Sequence, residues 1–201
     1  MPDNDTSPVR SFLSSPLSLA VLLCIPVVAL VEQMTHWPWT KDSFHSINHS
    51  AGELAARLLI ASLAVTPLRK LFPKSQIVRW FARRRRILGI YSFVFAVIHL
   101  ATYLVTRELG TMAGNLTSPK YIIAWIAFLI LLLLAATSFD AAMRKLGKRW
   151  KKLHRFAHVA AIAVAVHWVL MSNSPPVYLH FVPLLGLQAY RVYVSKTRKK
   201  R

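Results

Sequence analysis

The stretch Lys152 to Leu170, KLHRFAHVAAIAVAVHWVL, carries His154, His158 and His167 in a run that opens basic and continues apolar. A second apolar run, Ile87 to Thr106, has one histidine, His99, and no other acid or base. Imidazole is costly inside a hydrocarbon layer and is uncommon there without a task. Three tasks compete for these rings: holding a metal or haem, relaying protons or meeting a quinone, or simple packing as a satisfied polar residue.

The elements that must position them are membrane spans. The chain of 201 residues is 55% hydrophobic yet carries a formal net charge of +19. A soluble domain rarely combines the two, whereas a membrane protein does so by segregating them along the chain. Apolar stretches recur at about 12–32, 50–68, 87–106, 121–139, 154–171 and 177–194. About 20 apolar residues cross a bilayer core of about 30 Å. Backbone polar groups in lipid must bond within their own segment, so these stretches are expected to be helices. The expected architecture is all-α: a six-helix transmembrane bundle forming a single domain over residues 1–201. Every connection is short, and no internal repeat or glycine-rich nucleotide loop is present. Cys24 is the only cysteine, which excludes an internal disulfide.

Charge orients the bundle. Eight basic residues lie between Arg69 and Arg86, seven between Arg144 and Arg155, and six between Arg191 and Arg201. The alternate connections hold only Lys41, Arg107 and Lys120. Basic loops face the cytoplasm, so both termini are expected there, in a multi-pass protein of a bacterial inner membrane. The charge excess is therefore topological. Nucleic-acid binding is a poor reading of it, although the tail SKTRKKR suits anionic membrane lipid.

With the topology fixed, depth follows by counting. His99 lies 13 residues past Arg86 and His167 lies 12 past Arg155, or about 20 and 18 Å of rise on helices running the same way. The two rings are expected level, towards the outer leaflet. Two neutral imidazoles facing each other across a bundle make a bis-histidine haem site suited to electron transfer. Small residues around them (Ala157, Ala160, Ala161, Ala163 and Ala165) would leave room for a flat macrocycle. His154, 13 residues before His167, is at a depth that suits a second haem near the inner leaflet. However, 13 residues rotate an ideal helix to leave the rings about 140° apart, so a bend, or ligands approached from different sides, is required. At that depth the third span offers Arg85 and Arg86, not histidine. Arg86 would serve a haem propionate or stand near the inner iron. Arg57, inside the outer end of the second span, would meet a propionate or pair with Glu53 one turn away. His158 and His180 read more readily as structural, and His45 and His49 as loop residues, with a proton or quinone role open for His49.

The segments RRRRILGIYSFVFAVIHLATYLV, RKLGKRWKKLHRFAHVAAIAVAVHWV and VTPLRK resemble the haem-binding membrane subunits of the bacterial periplasmic methionine sulfoxide reductase system, the MsrQ or YedZ type, within the wider ferric reductase-like transmembrane group. The resemblance covers roughly residues 45–172. It implies haem b held by His99, His154 and His167. It implies electrons drawn from the quinone pool or from a cytoplasmic flavin reductase, with FMN as an associated cofactor. It also implies a periplasmic molybdopterin-containing catalytic subunit as acceptor, which repairs oxidised proteins. Two positions depart from the pattern. His158 stands where the family often has Tyr, and the third span lacks the second histidine of the oxidase relatives. An electron-transfer subunit without substrate chemistry of its own is expected, since only seven acids are available for acid–base work. A stand-alone ferric reductase, a quinol-oxidising cytochrome b and a small proton-coupled transporter remain alternatives.

Overall fold

Long helices in this chain begin and end where the charge pattern changes, but not always on the expected side of it. The computed structural model describes residues 28, 32, 41–172 and 174–199. Among them run α1 (Lys41–Leu71), α2 (Gln76–Thr106), α3 (Leu109–Asn115), α4 (Pro119–Ala136), α5 (Asp140–Leu146), α6 (Lys148–Leu153), α7 (Phe156–Met171) and α8 (Pro175–Lys199). No strand occurs among the described residues.

Four helical stretches are long and apolar enough to cross a membrane: Ser43–Leu71, Gln76–Thr106, Pro119–Ala136 and Lys148–Met171. The last runs through α6 and α7. The stretch expected to span at 177–194 is helical within α8, but it is not one of these four. The stretch expected at 12–32 lies outside the described residues except for Val28 and Glu32.

α2 starts 11 residues before the expected Ile87. Ser75 caps it, its hydroxyl accepting from Val78 N–H at 3.3 Å. The arginines Arg79 to Arg86 are therefore helical, and the linker from α1 is only residues 72–75. Arginine is a good helix former, so the charges end the apolar span without ending the helix. His45 and His49, expected in a loop, belong to α1.

α1 packs most extensively along α2, and α4 along α7; α8 closes against α1. One core cluster joins Leu59, Leu131, Ala160, Val177, Phe181 and Leu184. A second joins Ile47, Ala51, Ala55 and Phe95 between α1 and α2. Large side chains such as Val105, Leu129, Ile162, Leu179 and Leu185 point outward, the arrangement of a bundle whose solvent is lipid. Buried hydroxyls tie helices where the hydrophobic effect cannot: Ser92 Oγ donates to Ala55 O at 2.8 Å. Ala160 and Ala161 are buried in the first cluster. They bring helices close together, where the sequence suggested room for a macrocycle.

α5 and α6 bury no residue and lie at the basic end of the bundle. Gly147 joins them at φ +49°, a left-handed conformation that glycine takes without a Cβ clash. α6 and α7 are not one straight helix. They break at His154 and Arg155, which form a turn.

Candidate functional site

The two histidines expected at one level do face each other. The rings of His99, on α2, and His167, on α7, have centroids 6.5 Å apart with planes 77° apart. Each Nδ1 lies against a backbone carbonyl: Asn48 O at 2.8 Å for His99 and Lys120 O at 2.9 Å for His167. A carbonyl only accepts, so each Nδ1 carries the proton. In the neutral ring this leaves Nε2 as a bare lone pair. A backbone carbonyl on the far nitrogen is the usual support of a metal-ligating histidine, fixing its tautomer and raising its basicity.

Separation fits the same chemistry. A metal gripped from opposite sides by two imidazoles would set the centroids roughly 6.2 Å apart, from about 2.0 Å per bond and about 1.1 Å from nitrogen to centroid. Among the described residues, no group of three or more His, Cys, Asp or Glu side chains is placed to hold a bare ion. Two imidazoles alone leave a free transition metal short of donors, whereas haem iron needs only two axial ligands. The donor set therefore fits haem better than a naked ion.

α1 completes this seat. Asn48 Nδ2 donates to His99 O at 2.7 Å and to Thr102 Oγ1 at 3.0 Å. Gly52, one turn on, comes so close that a Cβ there would stand 2.8 Å from His99 Nδ1. Neither residue was among the expected site residues. The available signal was a glycine inside an otherwise helical stretch, which commonly marks close packing. Tyr103, one turn on from His99, packs against Tyr121 with centroids 5.6 Å apart and planes tilted by 42°.

His154 sits elsewhere, in a cavity of about 320 Å³ at the basic end. Its ring stacks on Trp150, centroids 4.0 Å apart. Its Nε2 is 3.3 Å from Thr137 Oγ1. That hydroxyl already donates to Leu133 O at 2.8 Å, so the imidazole is the donor and its Nε2 is engaged. Arg85, Arg86, Lys151, Arg155 and Arg191 line the cavity and, among the described residues, no carboxylate does, so its lining is cationic. His158 lines it too. The helix breaks at His154 and Arg155, between α6 and α7, so His154 is not carried on one regular helix with His167.

The two arginines expected to contact a cofactor have protein partners. Arg57 Nη2 lies 2.5 Å from Glu53 Oε2 on α1, the i, i+4 pairing. Arg86 Nη1 lies 2.5 Å from Asp140 Oδ1 and 3.3 Å from Met143 Sδ, and Arg86 still borders the inner cavity. The Arg86 guanidinium hydrogen-bonds Asp140 and holds its carboxyl below the usual carboxylate range. His180 Nδ1 donates to Pro176 O at 2.6 Å on its own helix, and its ring stacks on Trp168. That arrangement is a local structural role.

Facing histidines carried by apolar crossing helices define a membrane protein of the ferric reductase-like class. The family model described as ferric reductase like transmembrane component matches residues 51–172, a range that holds both rings. The chain is 36% identical over 188 residues to the protein-methionine-sulfoxide reductase heme-binding subunit MsrQ of Cronobacter sakazakii, covering 90% of this chain and 91% of that one. It is 33% identical over 174 residues to the MsrQ subunit of Pectobacterium carotovorum, covering 83% and 85%. The chain belongs to the MsrQ family. No solved structure matches it.

Proposed function

We propose that this protein is the haem b electron-transfer subunit of a methionine sulfoxide reductase system, with His99 and His167 as axial ligands. The observation that carries the reading is the level, carbonyl-supported pair of imidazoles, 6.5 Å between centroids. The relatives' description as heme-binding subunits of a protein-methionine-sulfoxide reductase supports it.

Haem, when bound, supplies a one-electron couple. The residues do the rest. Asn48 O and Lys120 O hold the Nδ1 protons, so both Nε2 atoms point their lone pairs into the gap between α2 and α7. Imidazoles on both faces leave no open position for a substrate, which favours electron transfer over catalysis at this site. The surrounding apolar helices exclude water. Tyr103 and Tyr121 pack against each other at the end away from the basic cavity.

The inner cavity is the place for a second haem or for a phosphate-bearing flavin such as FMN. His154 would be the ligand of a second haem, once its Nε2 releases Thr137. Arg85, Arg86 and Arg191 would receive the carboxylates or phosphate. The fit is less complete than at the outer pair, because His154 faces no second histidine with a bare Nε2. In this reading the donor, quinone or a cytoplasmic flavin reductase, acts at the basic end. The acceptor, a periplasmic molybdopterin-containing catalytic subunit, docks at the other. The topology is a six-helix bundle in the bacterial inner membrane, one domain, with both termini cytoplasmic.

The test is the absorption spectrum and haem stoichiometry of the purified full chain. A Soret band and a sharp reduced α band at one or more haems per chain are expected. A colourless, folded preparation from haem-replete cells overturns the proposal.

A further inference from the structure

Gly52 and Asn48 touch His99 but are no part of a ligand set. A methyl added at Gly52 would stand 2.8 Å from His99 Nδ1 and 3.0 Å from Cε1. Comfortable non-bonded contact is about 3.5–4.0 Å, so something must shift. The nearest atoms are those of the ring itself, and the ring is wedged between α1 and the gap facing His167. One turn earlier, Asn48 grips the same residue twice. Its carbonyl accepts the ring's Nδ1–H, and its amide donates to His99 O and Thr102 Oγ1. On the opposite ring, His167 Nδ1 rests on Lys120 O.

We propose that Gly52 and Asn48 are positioning residues that set the plane and the proton of His99, and through it the reduction potential of the haem. This inference rests on the reading of His99 as a haem ligand. Glycine is a poor choice for a helix interior, and at residue 52 its absent Cβ is what admits the imidazole to the α1 backbone. A carbonyl on Nδ1–H makes the imidazole a stronger base, which favours the more positive iron and lowers the potential. The planes of His99 and His167 are 77° apart. Near-perpendicular axial imidazoles give a strongly anisotropic ferric low-spin signal in electron paramagnetic resonance, and the signal follows the angle. A displaced His99 ring therefore changes two quantities that a purely structural glycine would leave alone.

The test compares parent, Gly52→Ala and Asn48→Ala as full-length, haem-loaded proteins. Gly52→Ala is expected to displace the low-spin signal, raise the midpoint potential and weaken haem retention. Its helix content should be kept, because alanine is the better helix former. Asn48→Ala, which keeps the carbonyl and loses only the amide, should move both readouts in the same direction by less. A Gly52→Ala protein with the parent's signal and potential overturns the proposal. Should that variant fail to accumulate, Asn48→Ala decides by the same two readouts. His99→Ala separates the two layers. If it loses haem while Gly52→Ala is unchanged, only the positioning role is wrong; if it keeps all its haem, the ligand assignment itself falls.

Discussion

The two ends of this bundle hold histidine in opposite ways. At the outer pair, the backbone does the work. Carbonyls of Asn48 and Lys120 take the Nδ1 protons and leave both Nε2 atoms bare. At the basic end, side chains do it: Trp150 stacks on His154, and Thr137 engages its Nε2. In the proposed reading the outer rings would be pre-set for iron, and the inner ring would have to give up a hydrogen bond first. Charge differs as well. The inner cavity gathers five cationic side chains. On α1, the helix that seats His99, Arg57 is already paired with Glu53. Tight, pre-formed ligation belongs with a site that must turn over electrons without rearrangement. A cationic, adjustable cavity belongs with a site that must accept a charged group.

Removing an outer ligand should break this contrast most severely. His99→Ala and His167→Ala should each abolish haem at the outer pair, since one imidazole cannot hold a six-coordinate iron. Pyridine haemochrome analysis of the purified variants measures this. Retention of the parent stoichiometry in either variant would remove that residue from the ligand pair.

His154→Ala should do less. It empties the inner cavity of its ligand and leaves the outer pair intact, so the content should fall by about half where two haems are bound. The low-spin signal of the outer pair should persist. His158→Tyr is the control, a cavity-lining change that should leave haem content at the parent level. A loss there would move the inner ligand from His154 to His158.

Arg57→Ala sharpens the comparison from the other side. Its guanidinium is committed to Glu53, so haem content should be unchanged. The effect on thermal stability should be about 0.5 kcal/mol or less, as for helix pairs of this spacing. Haem loss in Arg57→Ala with retention in Glu53→Gln would show that the arginine serves a propionate after all.

The level of His99 and His167 was legible because depth in a membrane is nearly one-dimensional. Counting residues from the last arginine on each helix converts directly into ångströms of rise, and azimuth matters less when both rings point inward. The break at His154 was legible only as one of two alternatives: the 13-residue spacing asked for a bend or for ligands approached from different sides, and LHRFA has no proline or glycine to announce a break. The start of α2 was misjudged because Arg79 to Arg86 were treated as loop on account of their charge, although arginine favours helix. The support of the site was hidden for a different reason. Backbone carbonyls carry no sequence signature, so Asn48 and Lys120 look like any other residues until the helices are packed. Ala160 and Ala161 show the reverse ambiguity, since small residues serve close helix packing and cofactor clearance equally well in a one-dimensional reading.

Arg86 and Asp140 give the smallest expected effect and the most specific pH signature. The pair links the inner end of α2 to the first turn of α5, a helix that buries nothing of its own. The guanidinium depresses the folded Asp140 carboxyl relative to its ordinary value, about 3.9 in an unfolded chain. A depressed folded value means the pair stabilises the fold above the unfolded pKa, and this contribution is lost as pH falls through the folded one. Both side chains are substantially exposed, so the contribution is modest and screened by salt. Asp140→Asn should therefore lower the unfolding temperature slightly at pH 7, with the difference shrinking in high salt. On acidification below the ordinary carboxylate value the difference should shrink, and the two proteins should converge once pH has fallen through the depressed folded value, where the parent's carboxyl is neutral as well. Haem content at the outer pair should be the same in both. A difference that persists unchanged into strong acid would show that Asp140 acts through its place in α5 and not through its charge on Arg86.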